Sequence, residues 1–438
     1  MQEEIIELIK KEEIKYVNVL FTDILGFVKS VLLPAEKFPH AIEKGVLFDA
    51  SSIVGYATRE ESDMLAKPDL RTFQVFPWIP GKKTAGVIAD IYTPEGERFS
   101  GDPRYVLQRM LAEAEKEGYK FMVGPEFEFF LFKMKNGFPT TEVGDYGSYF
   151  EFSPAEDCES VKKEIIDYFQ HMDYDPEAAH HEVAPGQHEI DLHYSDALTM
   201  ADRVVILKIA IKSIARKYGY HASFMPKPIY GVNGSGMHVH QSLVTLDGRN
   251  AFYDENSEDG LSSVAKYYIG GLMKYARETC AILASWVNSY KRLVPGYEAP
   301  TLIAWGYKNR SALIRIPASR GRATRIELRN PDPAGNPYLQ FAVMLGTGLE
   351  GIRRKIEPPN PVELDLYHLT PEDKKRLDIM ELPESLGEAI ECMEGSAVMK
   401  KILGEHVFNH FITVKRKEWE EYRAQVTDWE IKKLLPVL

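Results

Sequence analysis

Glu126 and Glu128 stand two residues apart in Gly124-Pro125-Glu126-Phe127-Glu128-Phe129-Phe130-Leu131-Phe132, an otherwise apolar segment. Its aromatic and aliphatic content favours a strand, whose period of two puts both carboxylates on one face. Two like charges on a buried face are costly unless they are paired or hold a metal ion. Taken alone, the pair fits a wet edge strand at least as well, because glutamate is mostly exposed. What matters is whether other segments supply partners.

Three segments do. After His180-His181-Glu182, the alternation Glu189, Ile190, Asp191, Leu192, His193 places three polar side chains on one face. In Asn233-Gly234-Ser235-Gly236-Met237-His238-Val239-His240-Gln241-Ser242, the glycines let backbone approach a ligand, and the strand-like continuation aligns His238, His240 and Ser242. Arg325-Ile326-Glu327-Leu328-Arg329 carries two guanidinium groups and a carboxylate on one side, a pattern that by itself also fits a solvated ion-pair ladder. If these strands belong to one curved sheet, their polar sides line one concave site. Acidic oxygens with one or two imidazoles suit magnesium or manganese better than zinc. The arginines have the geometry to neutralise phosphoryl oxygens, so phosphoryl transfer is the leading reading. Neither a Gly-x-x-x-x-Gly-Lys-Ser/Thr loop nor the protein-kinase motif set is present.

The elements that must position these groups fall into two regions. Residues 2–13 form an amphipathic helix through Ile5, Ile6, Leu8 and Ile9, and segments 16–22, 26–33, 70–77 and 85–92 read as strands of a small sheet domain ending near residue 98. Within it, Asp49 of Phe48-Asp49-Ala50-Ser51-Ser52 reads as a turn or helix-cap residue, ahead of a loop ending in Glu60-Glu61-Ser62-Asp63-Met64. Gly101-Asp102-Pro103 opens a second, larger domain with helices over 104–117, 159–171, 198–218 and 261–286. A polar, aromatic-rich connection spans 136–158, residues 295–300 form a lid-like loop carrying Glu298, and the tail from 331 reads as packed surface helices.

The 438 residues allow two or three domains, and 44% hydrophobic content supports a sizeable core. A net charge of −12 argues against nonspecific nucleic-acid binding. Cys158, Cys280 and Cys392 are too widely separated to suggest a disulfide framework or a zinc motif, which fits a reducing cytoplasm, and no apolar run approaches membrane-spanning length.

Taken together, Phe48 to Ser52, Glu61 to Met64, Gly124 to Phe132, His180 to Glu189, Lys227 to Ser242, Asn288 to Pro300, Asn309 to Pro317 and Arg325 to Leu339 resemble type I glutamine synthetases, in the expected order across the chain. The resemblance implies an α+β fold with a β-grasp-like domain over 1–98 and a catalytic domain over 99–438 built around a strand-lined funnel. It implies ligation of ammonia to glutamate, driven by ATP through γ-glutamyl phosphate, with two or more magnesium or manganese ions per subunit. It also implies a dodecamer of two stacked hexamers with active sites between subunits.

Carried over by position, Glu128, Glu182 and Glu189 hold one metal, while Glu126, His238 and Glu327 hold the second. Glu177, His240, Ser242, Arg315 and Arg325 contact nucleotide; Asn233, Gly234 and Arg292 contact glutamate; Arg310 and Arg329 stabilise the transferring phosphoryl group. Asp49, helped by Glu298, binds and deprotonates ammonium. Asp365-Leu366-Tyr367-His368-Leu369 matches the family's adenylylation segment only loosely, and Thr58-Arg59 precedes Glu60 where feedback-inhibited short members carry Arg and an apolar residue. Neither control is therefore implied; metabolite activation and a PII-type nitrogen-signalling partner stay open. Two other readings remain: a ligase joining glutamate to another amine, and a ring-forming scaffold or nitrogen sensor without catalysis.

Overall fold

The computed structural model describes residues 1–56, 63–153 and 157–438; Thr58, Arg59 and the Glu60-Glu61-Ser62 stretch lie outside the described residues. The first sheet contains β1 (Tyr16–Thr22), β2 (Val28–Pro34), β3 (Val46–Asp49), β4 (Asp63–Pro68), β5 (Gln74–Val75) and β6 (Thr84–Tyr92). Its order is β2-β1-β6-β4-β3, with β5 pairing β6, and its central strands β1 and β6 run parallel. Val17, Val19, Ala85, Val87, Ala89 and Ile91 are buried in its core. The helix Gln2–Lys11 buries Ile5 and Ile9, as its apolar spacing predicts.

Two expectations need correction here. Segment 70–77 is a 3-10 turn, Leu70–Thr72, followed by a two-residue strand, because the Asp69 side chain accepts the Arg71 N–H and caps a turn. The short strands β3 and β4 had no separate sequence signal.

The second sheet is built around β7 (Tyr119–Lys135), joined by β8 (Phe138–Val143), β9 (Pro176–His181), β10 (Gln187–Leu192), β11 (Ser195–Asp196), β12 (Tyr220–Ser223), β13 (Val239–Thr245), β14 (Trp305–Tyr307), β15 (Ile314–Ile316) and β16 (Ile326–Leu328). The order is β14-β15-β16-β13-β7-β10-β9, and β8, β11 and β12 also pair with β7. The hairpin strand β8 lies where sequence suggests only an irregular connection over 136–158.

Apolar helices support this sheet. Pro103–Lys116 starts where Asp102 accepts the Arg104 N–H, and Ala197–Lys217 buries much of its length as scaffold. The helix Pro337–Arg354, expected as surface, is buried almost throughout because its sequence is apolar on every side. The expected helix over 261–286 is two, Ser263–Lys274 and Ala276–Leu283, broken at Tyr275. Backbones of the first and of Pro337–Arg354 nearly touch: a Cβ on Gly271 would sit 2.2 Å from the Thr347 carbonyl oxygen.

The two sheets are tied through charge. Arg104 is 2% exposed, and its guanidinium reaches Asp69 at 2.9 Å, Asp90 at 2.5 Å and Asp202 at 2.8 Å, while the Tyr338 hydroxyl donates to Asp202 at 2.6 Å. One cation thus links the first sheet to two catalytic-region helices. A second tie is Asn336, whose Nδ2 donates to the Asp23 carbonyl at 3.0 Å.

Burial opposes ionisation of Asp69, but Arg71 and Arg104 outweigh it and hold the carboxyl at about 2. A depressed folded-state value stabilises above the unfolded value near 4 and is lost as pH falls from there towards 2. Arg71 is solvent-facing, so the effect is on the order of 1 kcal/mol. The thermal midpoint of wild type should exceed that of Asp69→Asn at neutral pH, with the gap closing as pH is lowered through this window.

Candidate active site

Strand register assembles the site. β10 sets Glu189 opposite Glu128 and Asp191 opposite Glu126, and β9 sets His180 opposite Glu189. On the other edge of β7, β13 sets His240 opposite Gly124, β16 sets Glu327 opposite His240, and β15 sets Arg315 opposite Glu327. Directly opposed residues share a face, so these polar groups meet on one side of the sheet. The glycine turn before β13 is steric: a Cβ on Gly236 would lie 2.5 Å from Arg292 Nη2, and one on Gly234 would lie 2.1 Å from the Pro226 carbonyl oxygen.

At one end, ligand atoms of Glu126, His240 and Glu327 lie within 4.8 Å of one another. His238 Nδ1 is 3.0 Å from Glu126 Oε2 and 3.8 Å from Glu327 Oε1; His240 Nε2 is 2.9 Å from Glu126 Oε1. Arg325 Nε donates to His240 Nδ1 at 3.2 Å, which leaves the imidazole proton on Nε2 facing Glu126. Glu327 is completely buried between Arg315 and Arg329, bonded to both. Burial resists charge on Glu126 and Glu327, yet His238 and His240 hold the first well below the usual carboxylate range, and Arg329 and His240 hold the second down. His238 is pushed to about 4 by burial and Arg329, so it is neutral, as a metal ligand must be.

At the other end, ligand atoms of His180, Glu182 and Glu189 lie within 4.8 Å of one another, with His180 Nε2 3.1 Å from Glu189 Oε1. Phe150 stacks on His180 at 4.4 Å between centroids. Glu128 accepts from Gln187 Nε2 at 2.8 Å and from the Gly236 N–H at 3.0 Å. Burial, then Glu182 and Glu189, push Glu128 well up; burial, then Glu126 and Asp191, do the same to Glu189. Burial and Glu126 push Asp191 up to about 6. Hard oxygens with one imidazole and an excess of acid form a donor set that fits a divalent cation.

His238 lies with Glu126 and Glu327, as the resemblance groups them, and His240 stands at the same end; His180 lies with Glu182 and Glu189, while Glu128 stands beside that second group within a bonded cradle. For His180 and Asp191, alternation gives a polar face but not the partners that assign a role. Gln187 and the aromatic residue Phe150 carried no signal.

Glu177, His240, Ser242 and Arg325 line a cleft of about 390 Å³ beside Glu126. Arg315 is not among its lining residues and is engaged with Glu327 instead. Arg292, buried, donates to the carbonyls of Arg329, Asn330 and Pro331, and Asn233 Nδ2 donates to Glu298 Oε2 at 2.7 Å. Glu298 has a left-handed φ of 54° in its loop. Arg310 is exposed, and its carbonyl accepts from the Tyr367 hydroxyl at 3.2 Å. Asp49 ends β3, exposed, with its carboxylate accepting the Ser51 N–H at 2.8 Å. Among the described residues it makes no hydrogen bond or ion pair with the funnel groups.

Replacing Glu327 by Gln removes the charge shared by two buried guanidinium groups. We expect the thermal shift produced by Mn2+ in wild type to shrink sharply, and catalytic turnover to fall at least about 100-fold. Calorimetry with and without the ion checks the first, a steady-state assay the second.

The glutamine synthetase catalytic-domain model matches residues 100–434, and the glutamine synthetase beta-Grasp domain model matches residues 13–94. The chain is 52% identical to glutamine synthetase of Methanosarcina mazei over 439 aligned residues, covering 100% of this chain and 98% of the relative. It is 48% identical to that of Thermotoga maritima, covering 99% of each. Among solved structures, one described as a GmaS/ADP complex superposes with a TM-score of 0.90 at 32% identity, covering 98% of this chain and 99% of that one. Plasmodium falciparum glutamine synthetase, seen by cryo-electron microscopy, gives 0.87 at 27% identity, covering 99% and 98%. With an α+β fold, both domain models and full-length relatives in agreement, the chain belongs to the glutamine synthetase family, whose enzymes form glutamine at the expense of ATP and use divalent metal ions.

Proposed function

We propose that this chain makes glutamine in two chemical steps within the β7 funnel, with residues 1–98 and 99–438 as its two domains. The observation that supports this most directly is the meeting of Glu126, His238, His240 and Glu327 at one end, and of Glu128, His180, Glu182 and Glu189 at the other, beside the cleft lined by Glu177, Ser242 and Arg325. Magnesium or manganese bound at the two ends supplies positive charge against the phosphate oxygens and the substrate carboxylate. Asn233, Gly234 and Arg292 orient glutamate; Glu177, His240, Ser242, Arg315 and Arg325 orient ATP.

In the first step a γ-carboxylate oxygen of glutamate attacks the terminal phosphorus of ATP, the bond to ADP breaks, and γ-glutamyl phosphate forms. Arg310 and Arg329 face the charge on the transferring group. In the second, ammonium gives a proton to Asp49, assisted by Glu298; ammonia attacks the activated carbonyl, the bond from that carbon to the phosphate oxygen breaks, and the surplus proton on nitrogen leaves with the phosphate. The Glu298 loop keeps water from the intermediate. Because Asp49 is exposed within its own chain, we assign its funnel to a neighbouring subunit, in a dodecamer of two stacked hexamers working in the cytoplasm. Regulation through a PII-type partner fits this reading, whereas adenylylation of Tyr367 does not, its hydroxyl being tied to Arg310.

ADP release should require glutamate, ammonium and a divalent cation together, and a panel of other amines should be turned over poorly. Asp49→Ala should lower glutamine formation by about 100-fold or more while leaving Mn2+ binding near wild type, and equal loss of both would contradict the assignment. Co-expressing Asp49→Ala with Glu327→Gln should restore part of the activity that each variant lacks alone. No recovery in mixed assemblies would place Asp49 in its own chain's site.

A further inference from the structure

Behind the strands that carry Glu182 and Glu189 lies a second cluster that glutamine synthesis does not use. Ligand atoms of Asp145, Cys158 and His188 lie within 4.8 Å of one another, and the three residues are 3%, 1% and 1% exposed. His181, 4% exposed, brings Nε2 to 2.7 Å from Asp145 Oδ1, while its Nδ1 lies 2.6 Å from the Glu182 carbonyl oxygen. That second contact fixes the ring, with Nδ1–H donating to backbone and Nε2 holding the Asp145 carboxylate. His188 Nε2 faces Asp145 Oδ2 at 3.2 Å, and its Nδ1 has no hydrogen-bond partner among the described residues. A buried ring nitrogen without a partner is costly.

Room is kept for these groups. A Cβ on Gly144 would lie 2.6 Å from Cys158 Sγ, and one on Gly147 would lie 2.8 Å from His181 Nε2. The Gly186 N–H donates to Asp145 Oδ1 at 2.9 Å, orienting the carboxylate. One thiolate, one carboxylate and one imidazole make a three-donor set of net charge −2, with His181 holding the carboxylate from outside it, and a divalent cation cancels that charge in a dry interior. Sulfur and nitrogen donors select zinc-class ions over magnesium, unlike the oxygen-rich active site.

We propose that Asp145, Cys158 and His188, with His181 fixing the Asp145 carboxylate, form a structural site for a zinc-class divalent cation, one that anchors the turn from Glu182 to Glu189 from behind. Binding takes the thiol proton of Cys158 to solvent. The wide spacing of the cysteines conceals such a site, since only one of its ligands is a cysteine.

The test uses full-length protein produced in medium supplemented with Co2+ or Zn2+ and purified without chelator. The cobalt form should show a near-ultraviolet thiolate-to-metal band, a signature that the oxygen and nitrogen donors of the active site cannot give. Zinc should remain at about one equivalent per chain after dialysis against a chelator that strips the active site. Cys158→Ser should lose the band and lower retained zinc by about tenfold or more, with glutamine synthesis still measurable, while Cys392→Ser should keep both. Absence of a band in wild type, or a band and retained zinc that persist in Cys158→Ser, would overturn the proposal and leave a hydrogen-bonded cluster only. Either result stands apart from the glutamine-forming assay, so the two readings fail separately.

Discussion

Crowding carboxylates on the inner face of a sheet is the constraint to which the rest of this molecule answers. Glu126, Glu128, Glu182, Glu189, Asp191 and Glu327 occupy one polar surface backed by apolar side chains, where charge is poorly screened. The chain meets the problem in two ways. At the Glu327 end, fixed cations and imidazoles keep the acids ionised. At the Glu128 end no guanidinium is bonded to the acids among the described residues, and their proton affinities rise. A divalent cation held there would meet acids that take protons readily, whereas at Glu327 it would meet arginines already in place. The two ends are thus prepared differently for a divalent ion and for the phosphate it accompanies.

Such a surface is stable only if its backing does not move. The helices Ala197–Lys217 and Pro337–Arg354 supply a dry, closely packed layer, helped by small residues where Gly271 meets Gly351. Arg104 and Asn336 then fix the first sheet against this layer, so that the edge carrying Asp49 is held in a set direction relative to the funnel.

Much of this was legible in the sequence, for reasons that differ by element. The two-residue spacing of Glu126 and Glu128, of Glu189 and Asp191, and of Arg325, Glu327 and Arg329 reports a shared face directly, because strand geometry is local. Which strand lies beside which is not local: only the register of β7 with β10 brings Glu128 to Glu189, and periodicity says nothing of it. Resemblance to the glutamine synthetases supplied the groupings that geometry could not, and left out His180, which its stacking on Phe150 fixes. The tail helix Pro337–Arg354 is masked in sequence by the charged segments that follow it, although its own residues are apolar on every side. The 3-10 turn at Leu70–Thr72 was missed because one aspartate side chain outweighed the β-branched residues around it.

The long strand β7 bonds with β13 and β11 through its first half and with β10, β12 and β8 through its second. Every acid cluster is therefore indexed to the same seventeen-residue ruler. One residue added before Pro125 or removed after it would carry the strand's remaining side chains across to the opposite surface in a single step, with no intermediate position to occupy. Length through this segment is consequently a quantity that mutation can alter only all at once, while the loops at its ends remain free to grow or shrink.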